Sequence, residues 1–193
     1  ARHDDAHEDL HEVGHEGDEG ADLHVAVADL VAGGVQLVRA SGLYRTAPVG
    51  GPAGQPDFVN AVIEVTTDLG AYELLKLCNA VEAAHHRERL VRWGPRTLDI
   101  DVIDYDGVIS EDPVLTLPHP RAQERAFVLV PWAQMDPQAR LTVTRRAKPS
   151  GERADEVPAP LSREVVNVAE LARTLVEADE DAISYMREMK VPD

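Results

Sequence analysis

Two stretches of this chain alternate apolar and polar side chains with a period of two, and a stretch of helical period lies between them. Val59, Ala61, Ile63 and Val65 share one face of a strand read over residues 59–65. Ile100 and Val102 alternate with Asp99 and Asp101 in a second strand, read over 97–105. Between them Leu74, Leu75, Cys78 and Val81 recur on one face of a helix spanning roughly 71–84. Short strands and amphipathic helices in such succession restrict the chain to a mixed architecture, with helices packed on the apolar face of a sheet.

The rest of the chain extends this pattern. Leu23, Ala26, Val27 and Leu30 predict a first helix, stopped by Gly33-Gly34, and 35–40 reads as a strand. Pro48, Gly50, Gly51, Pro52, Gly54 and Pro56 mark a long loop. Asp106-Gly107 predicts a hairpin turn leading into Val108-Ile109. A short strand or helix is expected near 126–132, a polar loop over 145–160, and a closing helix over 165–178 with Val168, Leu171, Ala172 and Leu175 inward. The expected class is an α+β sandwich whose sheet is largely antiparallel.

Charge divides the chain unevenly. Of 35 acids in a chain of net charge −16, nine fall within residues 1–24, against the single base Arg2. Five of the eight histidines lie there too. So little apolar surface cannot offset the entropy of ordering, and the reading is a mobile acidic tail over 1–20 ahead of one domain over 21–193. The overall balance argues against nucleic-acid binding and against an anionic membrane surface. One cysteine, Cys78, excludes an intramolecular disulfide framework, and no apolar run is long enough to span a bilayer. A cytoplasmic location is the expectation.

Within the tail, His7-Glu8-Asp9-Leu10-His11 and His11-Glu12-Val13-Gly14-His15 both fit the HExxH zinc signature. That chemistry needs two imidazoles one helical turn apart, on a helix with an apolar face to hold it. The segment offers no such face, so the reading is a solvated tail with at most adventitious metal binding by His3, His7, His11 and His15.

Residues 87–106 carry more chemistry. Asp99 and Asp101, two apart on a strand, project from one face with Cα atoms about 7 Å apart, a spacing suited to one or two Mg²⁺ ions. Arg87, Arg89, Arg92 and Arg96 stand just upstream, with only Glu88 opposing them. A cation cluster beside metal-binding acids reads as a polyphosphate site, because the guanidinium fork matches phosphate oxygens and paired metals clamp a phosphoryl displacement. Phe58 and Phe127, the only phenylalanines, are core candidates by default, yet their faces also suit a flat heterocycle.

The run Arg92-Trp93-Gly94-Pro95-Arg96-Thr97-Leu98-Asp99-Ile100-Asp101 resembles the signature of the 6-hydroxymethyl-7,8-dihydropterin pyrophosphokinase family. Tyr44-Arg45-Thr46-Ala47-Pro48, Gln55-Pro56-Asp57-Phe58-Val59-Asn60-Ala61, Leu117-Pro118-His119-Pro120 and Arg125-Ala126-Phe127-Val128-Leu129 resemble further blocks of it, in the same order, over about 21–140. The resemblance implies a ferredoxin-like α+β sandwich and transfer of pyrophosphate from ATP to the pterin hydroxymethyl oxygen, releasing AMP, in folate biosynthesis. It implies that Asp99 and Asp101 hold two Mg²⁺ ions, and that Arg87, Arg96, His119 and Arg125 meet the ATP phosphates or developing charge. Phe58 and Phe127 would sandwich the pterin, Asn60 would bond its edge, and Thr46 and Val49 would line its pocket. Arg89 and Trp93 would belong to a loop closing over the substrates. Association or fusion with another folate enzyme is also implied.

The sequence departs from the family in one large respect. Members usually begin with a hydrophobic strand ending in Gly-Ser-Asn, and none is legible before Asp22. Either the missing piece lies upstream, or a substitute is drawn from the tail, or the sequence has diverged. If the strand is lost, the alternative is an inactive nucleotide- or pterin-binding module of the same fold. His86 also stands where the family has Gly, which loosens the assignments of Arg87 and Arg89.

Overall fold

The computed structural model describes residues 4–13, 20–47, 57–87, 98–146, 161–179 and 183–189. Its main sheet runs β10-β3-β4-β1-β5, with β2 beside β3 on the same edge of β4, and every described pairing is antiparallel. These strands are β1 (Asp4–Val13), β2 (Val35–Ala40), β3 (Gly42–Thr46), β4 (Phe58–Thr67), β5 (Leu98–Tyr105) and β10 (Ser184–Glu188). Helices α1 (Ala21–Ala32) and α2 (Ala71–Arg87) cover one face. There Leu23, Val27, Leu30, Leu74 and Cys78 pack on Ala61, Ile63, Val65, Ile100 and Val102. Helices α3 (Ala126–Met135) and α4 (Val168–Ala178) serve the other face, where Val128, Leu129, Trp132, Val168 and Ala172 cluster with Val62 and Ile103. Two hairpins complete the fold: β6 (Ser110–Asp112) with β7 (Leu115–Leu117), and β8 (Arg140–Arg146) with β9 (Leu161–Asn167). The architecture is the expected ferredoxin-like α+β sandwich.

The N-terminal segment is the main correction. Residues 4–13 are not a mobile tail: they form β1, a central strand paired along its whole length with β4 and over Ala6–Glu12 with β5. Ala6 and Leu10, both fully buried, face α1 and α2 within the larger core. Composition concealed this strand because only two of its ten residues are apolar on that face, and Asp and Glu have low strand preference. What holds it is a backbone ladder on both sides, which side-chain patterning does not report. The sheet is therefore completed from within the chain, and the reason for expecting an inactive module falls away.

The same strand disposes of the first HExxH match. On a strand, the Cα atoms of His7 and His11 lie about 13 Å apart, not one helical turn apart. The helical backbone on which the zinc signature depends is absent over these residues. The second match runs into 14–19, outside the described residues.

Other boundaries shift for local reasons. The closing helix starts at Val168 rather than Val165, because Val165 and Val166 pair with Thr142 and Leu141 in the β8–β9 hairpin. Asn167 then caps the helix, its side chain accepting from the Glu170 N–H at 3.0 Å. Asp106 and Gly107 both take positive φ (45° and 67°), as the expected turn requires, but Val108 and Ile109 continue as coil and the next hairpin begins at Ser110. Within the expected loop 145–160, Arg145 and Arg146 belong to β8, and 147–160 lie outside the described residues. Strands β3, β7, β8 and β10, and the first part of β9, had no counterpart in the sequence reading.

Two side chains hold the sheet where the site needs it. Ser41, buried between β2 and β3, donates its N–H to the Val62 carbonyl and accepts the Val62 N–H on its hydroxyl, both at 2.9 Å. The bend it makes lets β2 and β3 follow successive halves of β4. On edge strand β5, the Ile100 N–H is taken up by Glu82 of α2 at 2.7 Å.

Beneath α3 a charged row crosses four strands. Arg39 pairs with Glu64, Glu64 lies opposite His7, and His7 lies opposite Asp104. The His7 ring stacks on Trp132, with centroids 4.6 Å apart. Burial pushes the Asp104 carboxyl above its ordinary value, against the opposing pull of the Gly107 N–H and of His7. An acid raised in this way favours the fold fully below its unfolded-state pKa and loses that contribution as pH rises through its folded value. Asp104→Asn is therefore expected to be more stable than the parent at pH 7, with the gain shrinking toward pH 4. Urea midpoints at the two pH values measure this.

Candidate active site

β5 presents Asp99 and Asp101 on the face shared with α3, opposite the core-facing Leu98, Ile100 and Val102. The segment after β7 crosses beneath β5, and its His119 N–H donates to the Ile103 carbonyl at 2.8 Å. That bond sets the imidazole beside the acid pair, with Nε2 3.9 Å from Asp101 Oδ2. Arg125, the residue that opens α3, donates from Nη1 to the same Oδ2 at 3.0 Å. Its guanidinium carbon lies 5.4 Å from the centre of the Phe127 ring. Burial holds the His119 imidazole below its ordinary pKa; Asp101 pulls it up, while Arg125 and Arg121 push it further down.

Phe127 opens onto a cavity of about 560 Å³, within the range of small-molecule sites. Phe58 and Asn60 of β4, Thr46 of β3 and Arg125 share its lining. Asn60 is 2% exposed and donates its amide to the Thr46 hydroxyl at 2.9 Å. That bond fixes the orientation of the amide and leaves its oxygen as a hydrogen-bond acceptor. Both phenylalanines are half-buried at this cavity rather than sealed in the core. The acid pair, a guanidinium and an aromatic slot with a fixed polar edge thus form one continuous assembly, joined through Arg125.

A profile of the 7,8-dihydro-6-hydroxymethylpterin-pyrophosphokinase family matches residues 13–137, well over half of the chain. The chain belongs to this family. Among individual relatives, it is 46% identical over 122 residues to the 2-amino-4-hydroxy-6-hydroxymethyldihydropteridine pyrophosphokinase of Methylorubrum extorquens, covering 63% of this chain and 77% of that protein. The enzyme of the same name from Pseudomonas aeruginosa is 44% identical, with 55% and 65% covered. A crystal structure of Plasmodium falciparum HPPK-DHPS with pterin and p-hydroxybenzoate superposes with a TM-score of 0.60 at 12% identity. It covers 96% of this chain, which spans about half (48%) of that longer one, and at such identity the likeness speaks for the fold.

Of the residues expected from the family, the structure brings together Asp101, His119 and Arg125, and sets Thr46, Phe58, Asn60 and Phe127 about the cavity that Arg125 also lines. Asp99 lies on the same strand face as Asp101. Arg87 ends α2, and Val49, Arg89, Trp93 and Arg96 lie outside the described residues. The sequence reading missed Arg121, Glu124, Leu175, Ala178 and Asp179, which also line the cavity. The first two sit in the turn before Arg125 and the others at the end of α4, where only the tertiary packing of α4 on α3 reveals them.

Proposed function

We propose that this chain transfers the pyrophosphoryl group of ATP to the hydroxymethyl oxygen of 6-hydroxymethyl-7,8-dihydropterin, releasing AMP, as a step of folate biosynthesis. The observation that carries this reading is Arg125, which contacts the Asp101 carboxylate and the Phe127 ring at once. A guanidinium of the kind that suits phosphate thus touches both a carboxylate of the kind that suits a cation and an aromatic face of the kind that suits a heterocycle.

The donor set suits Mg²⁺: Asp99 and Asp101 offer hard carboxylate oxygens on one strand face, and the Asp101 side chain is 36% exposed, open to a hydrated ion. In this reading Asp99 and Asp101 hold two Mg²⁺ ions, which when bound neutralise phosphate charge. The remaining work falls to the protein's own groups. Arg125 and His119 contact the triphosphate, with Arg87 and Arg96 supplying further cations. Arg89 and Trp93 close over the bound substrates. Phe58 and Phe127 stack on the pterin, Asn60 bonds its edge, and Thr46 and Val49 fix its position. The pterin hydroxyl oxygen attacks the β-phosphorus and loses its proton to solvent, the bond from the β-phosphorus to the α–β bridging oxygen breaks, and AMP leaves with that oxygen. Such a transfer gains its rate chiefly from alignment and charge stabilisation, which fits a site of rigid walls and cations.

None of the described helices is long and apolar enough to cross a membrane. The Lactococcus lactis relative is a bifunctional protein named FolKE, and association or fusion with another folate enzyme is proposed here on that likeness. The test is AMP release measured with ATP, hydroxymethyl-dihydropterin and Mg²⁺ present together and each omitted in turn. AMP is expected only from the complete mixture. Pterin binding without AMP release would reduce the chain to a binding module.

A further inference from the structure

One wall of the ring-binding cavity comes from outside the family match, which ends at residue 137. Leu175 and Ala178 of α4, with Asp179 just after it, line the same space as Phe58, Asn60 and Phe127. This wall is anchored. Asn167 caps the start of α4, and at its end the Asp179 N–H returns to the Leu175 and Val176 carbonyls. Between the two, Val168 and Ala172 are buried in the apolar cluster against which both Phe127 and Leu175 pack. The last turn of α4 is therefore held in fixed relation to the Phe127 ring.

We propose that this last turn is a specificity-determining wall of the pterin slot, with the size of the side chain at position 178 deciding which ring fits. Leu175 shares both the cavity and the apolar cluster with Phe127. Ala178 contributes only a methyl group to the lining, so a larger side chain at this position takes volume from the cavity. The inference rests on the proposed pterin reading, and its test separates the two.

The test compares the full-length wild type with Ala178→Phe and, as a milder second variant, Ala178→Leu. Hydroxymethyl-dihydropterin binding is titrated by its own fluorescence without ATP, and ATP binding by calorimetry without pterin. Filling the space is expected to weaken pterin binding by about tenfold or more in the Phe variant and less in the Leu variant, with ATP affinity held within about twofold. In turnover, the loss appears in KM for the pterin and not in KM for ATP. Wild-type pterin affinity in both folded variants, or an equal loss of both ligands, overturns the assignment. A wild type that binds the pterin yet forms no AMP refutes the catalytic reading and leaves the wall in place.

Discussion

Asp101→Ala is expected to lower AMP formation by about a thousandfold or more while the chain stays folded. Asp101 points to the site face of β5, and the packing of that strand runs through Leu98, Ile100 and Val102 on the other face and through Ile103 beneath α3. Little core is lost when its side chain is trimmed. What disappears is the oxygen that Arg125 holds at 3.0 Å and that His119 approaches at 3.9 Å. Both the proposed cation ligand and the anchor of the guanidinium go together. Asp99→Ala is expected to fall in the same range. Rates of AMP release, with circular dichroism as the folding control and Mn²⁺ binding followed by electron paramagnetic resonance, measure the effect. Full turnover and undiminished Mn²⁺ binding in both variants would remove the metal assignment.

The second large effect concerns the acidic N-terminal strand. Deleting residues 1–13 is expected to abolish cooperative folding, because β1 lies between β4 and β5 and its loss strips hydrogen-bond partners from both. A solvated tail would leave the unfolding curve unchanged. The graded form is Leu10→Ala, which empties a fully buried position facing α1 and α2 and is expected to cost about 2–5 kcal/mol. Urea denaturation followed by tryptophan fluorescence is a suitable probe, since Trp132 stacks on His7 of the same strand.

These two expectations mark what was legible in the sequence and what was not. Asp99 and Asp101 were readable because alternation with Ile100 and Val102 announces a strand and its faces. Phe58, Asn60, Phe127 and Arg125 were readable through the motifs around them, and the structure sets them about one cavity. Strand β1 was not, since its stability comes from ladders to residues some 50 to 100 positions downstream rather than from its own pattern. The end of α4 was hidden for a related reason. Its inward face reads as ordinary helix core, and only packing against α3 turns Leu175 and Ala178 toward the cavity.

The central place of β1 also bears on how the molecule is made. Its two neighbours are synthesised well after it, and β5 must wait for about half of the chain to emerge. Pairings of such long range are slow to close, and an apolar strand left waiting is an aggregation hazard. A segment as acidic in composition as this one carries less of that hazard than an apolar strand would. A more hydrophobic β1 would raise equilibrium stability and lower the yield of correctly folded chains from the ribosome.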